Sequence, residues 1–311
     1  MYGQDAVLGL SFQNSYGTPS VSSLHFMEIL DESLSLNKEQ QMREGMRGIF
    51  DENAAQEGKN SVEADITIEA HAIPLGFMLS SIMSRTTTGT GRYSHVFKPN
   101  QSDFDTFAAN RPFTALVDLG DAGSAHEYYD LVSSKLELSI SQGGFMQSKL
   151  SVIGGPYQQI AAVAASYPTG NVVDWAASSI TLGGSGSCAF EDLTFSMDES
   201  LESIYTLCNK KTPTRIKRSG KRTVTIGGTL LFDDQTEYQK FLAQSTQVFK
   251  AFFLTGSDSL LIEAPQFKYT GYPIPVSDPG QMRVSFEGKA EYNTSSATTC
   301  QITVVNTQSA Y

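Results

Sequence analysis

The fold is decided by the stretch Gly58–Ala70, whose sequence is GKNSVEADITIEA. From residue 61 onward, polar or charged side chains alternate strictly with apolar ones. A period of two residues predicts a half-buried antiparallel β-strand that keeps one face in water. That wet face is acidic, because it carries Glu63, Asp65 and Glu69.

A similar stretch, GKRTVTIGGTLLF, begins 162 positions later at Gly220. In both stretches Gly-Lys is followed by a hydroxyl residue and by valine at the same offsets. Each is also followed by a predicted helix, at 73–83 with Pro74 near its start and at 234–244. The second helix begins with Asp234 and has Glu237 three residues on, which is the pattern of a capping box. Because the strand–helix unit occurs twice, we predict an internal duplication.

The composition favours a folded, mainly β protein with short helices. The chain has 311 residues, of which 40% are hydrophobic, so two domains with ordinary cores are possible. Abundant Gly, Ser and Thr with short runs of Val, Phe and Tyr are typical of strands and turns. The net charge of −11 disfavours a surface that grips nucleic acid, since phosphate binding needs clustered Lys and Arg. It does not exclude a surface that nucleic acid merely passes.

No motif for catalysis, for a cofactor or for a metal is present in the sequence, so we predict no enzymatic activity. The four histidines have no metal-ligand spacing. Cys188, Cys208 and Cys300 are far apart and are predicted to be reduced, buried thiols. The run Gly-Gly-Ser-Gly-Ser at 183–187 lacks the ending of a phosphate-binding loop and is interpreted as a flexible linker. No apolar run is long enough to span a bilayer and no leader is visible, which predicts a chain made in the cytoplasm with no membrane span.

The chain is predicted to divide into four segments, namely an N-terminal arm at 1–24, a first repeat at 25–155, a connector at 156–187 and a second repeat at 188–311. In the arm, Leu8, Leu10 and Phe12 alternate with other residues. This pattern fits either a frayed terminus or an extended arm that adds to the sheet of a neighbouring chain.

Within the repeats, alternation predicts the main strands and its absence predicts loops. The first repeat is expected to have a strand at 33–37, a polar loop at 38–58, loop-like structure at 85–110 and a hairpin at 135–152. The second repeat is expected to have a strand around 193–197, a polar loop at 203–222 and a strand at 223–232. Further strands are expected in the second repeat at 249–256, at 267–269 and at 282–286.

Taken in order, and because they occur twice, these features resemble the long-tailed bacteriophage major tail tube protein family, in the form with a duplicated tube fold. The segments that carry the resemblance are SYGTP at 15–19, LDESLSL at 30–36, Arg47-Gly48, Gly58-Val62 and the hairpin at 135–152. The resemblance implies two tandem β-sandwich domains, each with a flanking helix, whose hairpins close side by side into a ring-shaped barrel. Six single-repeat chains make such a ring, so three copies of this chain would make one.

The function implied by the resemblance is that of a structural virion protein, the major subunit of the tail tube, assembled in the host cytoplasm and located in the virion tail. Its partners would be further copies of itself in stacked trimeric rings, the tape measure and other tail proteins, and viral DNA that passes through the lumen without specific binding. An adaptor or terminator ring with the same fold is an alternative. A host-glycan-binding β-sandwich is a second one, which the single tryptophan disfavours.

Two sets of residues follow as candidate sites. If the wet strand faces point inward, they give an acidic bore that does not hold DNA phosphates. The predicted lumen-facing acids are Asp31, Glu63, Asp65, Glu69, Glu137, Asp198, Glu202 and Glu287.

The second candidate site is the loop 209–222, which has seven basic residues and no acid. The corresponding loop 39–58 is net acidic, and the two opposite charges suggest a ring-to-ring contact in which the basic loop meets acidic surface. A nucleic-acid patch and a solvated loop are the alternatives. The predicted inter-ring residues are Lys210, Lys211, Arg215, Lys217, Arg218, Lys221 and Arg222.

Overall fold

The structure is a computed structural model that describes residues 5–45, 48, 50–101, 111–120, 124–274 and 281–311. Within these ranges it has 21 strands and two helices, which confirms the mainly β prediction. The first part of the chain contains β1 (Val7–Phe12), β2 (His25–Met27), β3 (Ile29–Glu32), β4 (Leu36–Gln41), β5 (Gln56–Glu69), α1 (Ala72–Ile82), β6 (Met83–Thr90), β7 (Arg92–Pro99), β8 (Phe113–Asp118), β9 (Ala125–Ser141) and β10 (Gln147–Gly154). The rest contains β11 (Tyr157–Ile160), β12 (Ser178–Leu182), β13 (Ser185–Ser187), β14 (Phe190–Asp198), β15 (Leu201–Ile204), β16 (Arg215–Arg218), β17 (Thr223–Leu231), α2 (Thr236–Leu242), β18 (Gln247–Thr255), β19 (Asp258–Gly271), β20 (Arg283–Ala290) and β21 (Gln301–Asn306).

Eight strands form one continuous antiparallel layer, which we call the eight-strand sheet. Their spatial order is β3, β5, β10, β9, β14, β17, β20 and β19. The strand β5 contains the alternating residues 61–69. Its residues from Ser61 to Glu69 alternate between partly exposed and buried as predicted.

The two halves of the chain have the same strand order. The first half pairs β3 with β5, β5 with β10, β10 with β9 and β9 with β8. The second half pairs β14 with β17, β17 with β20, β20 with β19 and β19 with β18. The two helices follow equivalent strands, α1 after β5 and α2 after β17. The halves join where β14 pairs with β9, from Asp192 opposite Ser141 to Asp198 opposite Lys135.

A second layer covers the apolar face of the eight-strand sheet. The strands β1 and β2 extend the sheet beside β8, β12 and β13 lie beside β18, and β11 lies beside β9. The strand β21 joins β19 to β7 and so links the second half of the chain to the first. Nearly every residue of α1 is buried, and Phe77 on this helix stacks on Phe12 with ring centroids 4.3 Å apart. One cluster of buried apolar side chains runs through both halves.

The N-terminal segment belongs to this fold and not to a neighbour, so the expectation of an arm across another chain is wrong for the part that is described. The strand β1 pairs with β8 along its whole length and also with β2. Leu8 and Leu10 are 0% exposed because they fill the chain's own core. Their alternation came from an internal strand, which a sequence pattern cannot distinguish from a donated one.

Three segments predicted as loops contain strands. Part of 38–58 is a ribbon of β4 and β5, part of 203–222 is the hairpin of β15 and β16, and β6 and β7 form a hairpin within 85–110. Residues 46, 47, 49 and 102–110 lie outside the described part. The predicted connector also contributes β11, β12 and β13 to the sheets. The strand β4 is almost entirely exposed, and an exposed ribbon needs no apolar alternation by which a sequence could reveal it.

Three local predictions also need correction. The strand expected at 33–37 is interrupted, because the Ser33 hydroxyl accepts a hydrogen bond from the Asp65 backbone N–H (2.9 Å) in place of a carbonyl. The run at 183–187 is no flexible linker, since Gly183 and Gly184, both with positive φ, form the two-residue turn between β12 and β13.

The capping box at the start of α2 is not formed either. Asp234 accepts a hydrogen bond from the Thr236 backbone N–H (2.7 Å), and this bond lowers the pKa of its carboxyl group. Glu237 instead contacts Lys240 (2.6 Å) and accepts a hydrogen bond from the Tyr269 hydroxyl (2.9 Å). The helix therefore ends up tied to β19 through Glu237.

Candidate assembly surfaces

The wet face of the eight-strand sheet is a continuous polar surface shared by both halves. Its charged residues are eight acids and five bases, a net charge of −3. The acids are Asp31, Glu63, Asp65, Glu69, Glu137, Asp192, Asp198 and Glu287, and the bases are Lys135, Lys149, Lys268, Arg283 and Lys289. Serine and threonine occupy most of the positions between them. Seven of the eight acids predicted for the lumen are therefore together on one face.

Glu202 is the exception among those eight acids. It lies on β15, which pairs only with β16 within the described residues, and its neighbour in register is Lys217. The prediction placed it on the strand face because the corner between β14 and β15 cannot be seen in the sequence. Asp192, which the prediction omitted, occupies the face instead.

Several charges of the wet face neutralise each other inside the chain. Asp65 lies 2.8 Å from Lys149 Nζ and accepts a hydrogen bond from the Ser151 hydroxyl (2.6 Å). Partial burial pushes the pKa of Asp65 upward, but the hydrogen bonds from Lys149 and Ser151 outweigh it and leave the pKa below its ordinary value. The same contact raises the pKa of Lys149. Lys135 and Glu137 form a second pair at 3.0 Å.

One row of directly opposed residues crosses the whole eight-strand sheet. It runs through Asp31, Thr67, Lys149, Glu137, Ser196, Thr225, Lys289 and Lys268, one residue from each strand in order. The row begins with an acid at one edge and ends with two bases at the other.

Both ends of the eight-strand sheet are open edges. The strand β3 pairs with β5 alone within the described ranges. In β19, the pairing with β18 stops at Phe267, and beyond it only β20 is paired in the part of the chain that the structure describes. Unpaired strand edges are sites for association with another chain unless they are covered.

The hairpins of β4–β5 and β15–β16 project from the same end of the sheet and lie against each other. Lys211 forms an ion pair with Glu57, and its carbonyl accepts a hydrogen bond from the Asn60 N–H (2.8 Å). The Tyr205 hydroxyl donates a hydrogen bond to the Asn60 carbonyl (3.3 Å). The basic loop and the acidic loop thus already meet within one chain at this point.

The seven basic residues predicted for the ring-to-ring contact have different environments. Arg218 and Arg222 bind Glu199, whose side chain is 0% exposed, with Arg222 Nε 2.6 Å from Glu199 Oε1. Arg222 also donates to the Asn100 carbonyl. Lys211 pairs with Glu57, and of the other four basic residues Lys210, Arg215 and Lys221 are exposed and Lys217 is half-buried. Lys211, Arg218 and Arg222 therefore form ion pairs within their own chain.

Sequence reasoning missed Glu199, since a lone glutamate in a polar stretch carries no sign of burial. It also missed the exposure of two cysteines. Cys188 and Cys208 are exposed and Cys300 is buried, and all three are free thiols, so the prediction of buried thiols holds only for Cys300.

No cluster of three or more His, Cys, Asp or Glu side chains suited to a metal ion occurs in the described part of the chain. Neither of the helices found there is long and apolar enough to cross a membrane.

The sequence was compared with known proteins and with models of protein families. No curated protein matched the sequence. The family model described as phage tail tube protein matches residues 3–290, which is nearly the whole chain. A mainly β chain with an eight-strand sheet and two open edges, matched over this length, belongs to the phage tail tube protein family.

Proposed function

We propose that this protein is the major tail tube subunit of a bacteriophage, and that three chains close into a ring with a lumen for viral DNA. The observation that carries the proposal is the row across the eight-strand sheet. At its centre, Glu137 of β9 faces Ser196 of β14, and this junction joins two halves of the same strand order. The two open edges, β19 and β3, are the equivalents of β9 and β14.

If the open edges β19 and β3 of neighbouring chains pair in the same register as β9 and β14 do within one chain, the residues in contact between chains can be named. Lys268 takes the place of Glu137, and Asp31 of the next chain takes the place of Ser196. Opposite charges then face each other at each of three junctions, and closure removes both exposed edges. The equivalence supports an internal duplication in which the first repeat is residues 25–155 and the second is 188–311.

The size of such a ring suits DNA passage. Three chains contribute 24 strands, which at about 4.8 Å per strand and a tilt near 40° give a backbone radius of roughly 24 Å. The bore inside the side chains is then on the order of 35–40 Å. With the wet face inward, its net negative charge and its hydroxyl groups give DNA phosphates no strong binding site.

The experiment that tests the proposed function is negative-stain electron microscopy of the purified protein. Long tubes of stacked rings are the expected result. Single rings that do not stack under any solution condition would favour an adaptor or terminator ring of the same fold. Monomers that form neither rings nor tubes at high concentration would contradict the proposal.

Reversing the charge of one edge residue tests the proposed register. Asp31→Lys should weaken ring closure, because it places two cations at each junction, and Lys268→Asp in the same chain should restore it. The expected loss in the free energy of ring closure is about 0.2–1 kcal/mol per junction, and a ring has three junctions. The measurement is the protein concentration at which rings form, followed by light scattering.

The matched control for this test is Glu63→Lys, which makes the same charge change on the same face but away from an edge. It should leave the ring-forming concentration unchanged. If Asp31→Lys behaves like Glu63→Lys, or if the double variant fails to recover, the proposed register is wrong.

A further inference from the structure

A fully exposed leucine lies at the tip of the β15–β16 hairpin, the hairpin that contains most of the basic loop 209–222. Leu207 lies between β15 and β16, and its side chain is entirely in solvent. Its neighbours Cys208 and Lys210 are exposed as well. Among the exposed large apolar side chains that the structure describes, only Leu207 and Phe50 are entirely in solvent. A single exposed leucine acquires a role only where another surface is shaped to receive it.

An open apolar cavity lies at the opposite end of the eight-strand sheet. Its volume is about 460 Å³, and it is formed where the end of β9 and the start of β14 meet the β12–β13 hairpin. The side chains that line it include those of Ile140, Trp175, Ile180, Cys188, Phe190 and Phe253. Trp175, the single tryptophan, is partly exposed at this cavity.

The knob and the cavity cannot meet within one chain. The strand β14 runs from Phe190 at the cavity to Asp198 near the other end of the eight-strand sheet. Tyr205, two residues before Leu207, donates a hydrogen bond to the carbonyl of Asn60, which lies past the end of β10 at that other end. At about 3.3 Å per residue, the tip is roughly 40 Å from the cavity along the strands. The two surfaces therefore face opposite directions, as a head and a tail do in a stack.

Charge also distinguishes the two ends. The cavity is lined in part by Glu191 and Asp192, and Asp233 and Asp234 lie on the adjoining surface. The tip of the hairpin carries Lys210 and, nearby, Arg215, with no acid between residues 209 and 222. Complementary charge steers two surfaces together and fixes their orientation.

We propose that Leu207 of one ring inserts into the cavity beside Trp175 of a chain in the next ring. The inference rests on the proposed function and names the side chains that hold rings together. The contact is heterologous, because a patch on one end of the chain binds a different patch on the other end of its copy. Such contacts do not close and produce filaments.

Two native cysteines report on this contact directly. Cys208 is adjacent to Leu207, and Cys188 lines the cavity, while Cys300 is buried. Hydrogen bonds from the hydroxyls of Thr206 and Thr214 lower the pKa of Cys208, which favours its reaction at mild pH. In assembled tubes, a short bis-maleimide reagent should join Cys208 of one ring to Cys188 of the next, with each thiolate adding to one maleimide ring.

The readout is a denaturing gel of cross-linked tubes. Since every chain offers one Cys188 and one Cys208 at opposite ends, the expected product is a ladder of dimers, trimers and longer chains. Cys188→Ser and Cys208→Ser should each abolish the ladder, and Cys300→Ser should not change it. Tubes that give no ladder, or give dimers alone, would overturn the inference and leave the tube function intact.

A variant of the knob gives a second readout. Leu207→Asp should allow rings to form but should raise the concentration needed for stacking by about 10-fold or more. Leu254→Asp is the matched control, because Leu254 is also an exposed leucine but lies on β18 of the outer layer. Equal stacking of both variants would contradict the inference. If the wild-type protein forms no rings, the proposed function itself fails, and this is seen before any variant is made.

Discussion

Replacing Glu199 with leucine is expected to lower the free energy of unfolding by about 3–5 kcal/mol. The carboxylate is completely buried and binds two guanidinium groups, those of Arg218 and Arg222. The substitution leaves Arg222 without its counter-charge in a site where it is itself almost fully buried. An uncompensated buried charge costs much more than the ion pair contributed when it was intact.

The position of Glu199 increases the effect of its loss. Its backbone N–H donates to the Ser134 carbonyl (2.9 Å), and Ser134 lies on β9 of the first half. Arg222 reaches the Asn100 carbonyl, which lies just after β7. The ion pair therefore holds the corner between β14 and β15, which belongs to the second half, against the first half of the chain.

The measurement is urea unfolding of the unassembled chain, followed by circular dichroism. Glu191→Leu is the matched control, since Glu191 also pairs with an arginine, Arg283 (2.7 Å), but that arginine lies in solvent. The control should change stability little. A Glu199→Leu protein as stable as the control would show that the buried pair does not hold the fold.

Replacing Glu32 with proline is expected to abolish ring closure while the single chain stays folded. The Ser33 N–H donates to the Asp65 carbonyl (3.1 Å), so Ser33 directs its backbone groups toward β5. In an antiparallel pair, neighbouring residues point their backbone N–H and C=O groups to opposite sides of the strand. The N–H of Glu32, which precedes Ser33, therefore lies on the open edge of β3. Proline removes that N–H, and its pyrrolidine side chain blocks the approach of the next chain. The single chain tolerates proline there because the N–H on an open edge has no partner within the sheet.

The control for this prediction is Glu32→Ala, which removes the same carboxylate but keeps the N–H. The carboxylate of Glu32 accepts a hydrogen bond from the Leu34 N–H (2.9 Å), so both variants lose this contact equally. Sedimentation should give rings for the alanine variant and single chains for the proline variant. Rings of normal size from the proline variant would mean that chains do not associate through β3.

The parts of the fold that could be predicted from the sequence are those in which one strand face is buried. Ile66 and Ile68 in β5, or Leu136 and Leu138 in β9, are buried in alternation with wet residues, and that alternation is visible without a structure. The strands β15 and β16 have four residues each, and their few apolar side chains, such as Ile216, which packs with Val132, are too short a pattern to predict a hairpin. The strand β7 pairs with β21, about two hundred residues away, and no local pattern records such a partner.

The candidate sites were predictable to a similar degree. The acidic wet face was found because charge and period coincide in the strands. The open edges, and the opposition of Asp31 to Lys268 that they imply, depend on which strands pair and can only be obtained from the register. Glu199 and the surroundings of Leu207 depend on corners of the chain, where one residue can turn a side chain from solvent into the core.

Ring closure through β3 and β19 can be observed directly in an electron cryo-microscopy reconstruction of the assembled protein. Such closure predicts three chains per ring, 24 antiparallel strands around the bore, β3 of each chain hydrogen-bonded to β19 of the next, and Asp31 facing Lys268 across every junction. It also predicts that Glu63, Asp65 and Glu137 point into the bore. A reconstruction in which these side chains lie on the outside, or in which β3 has no partner from another chain, would contradict it.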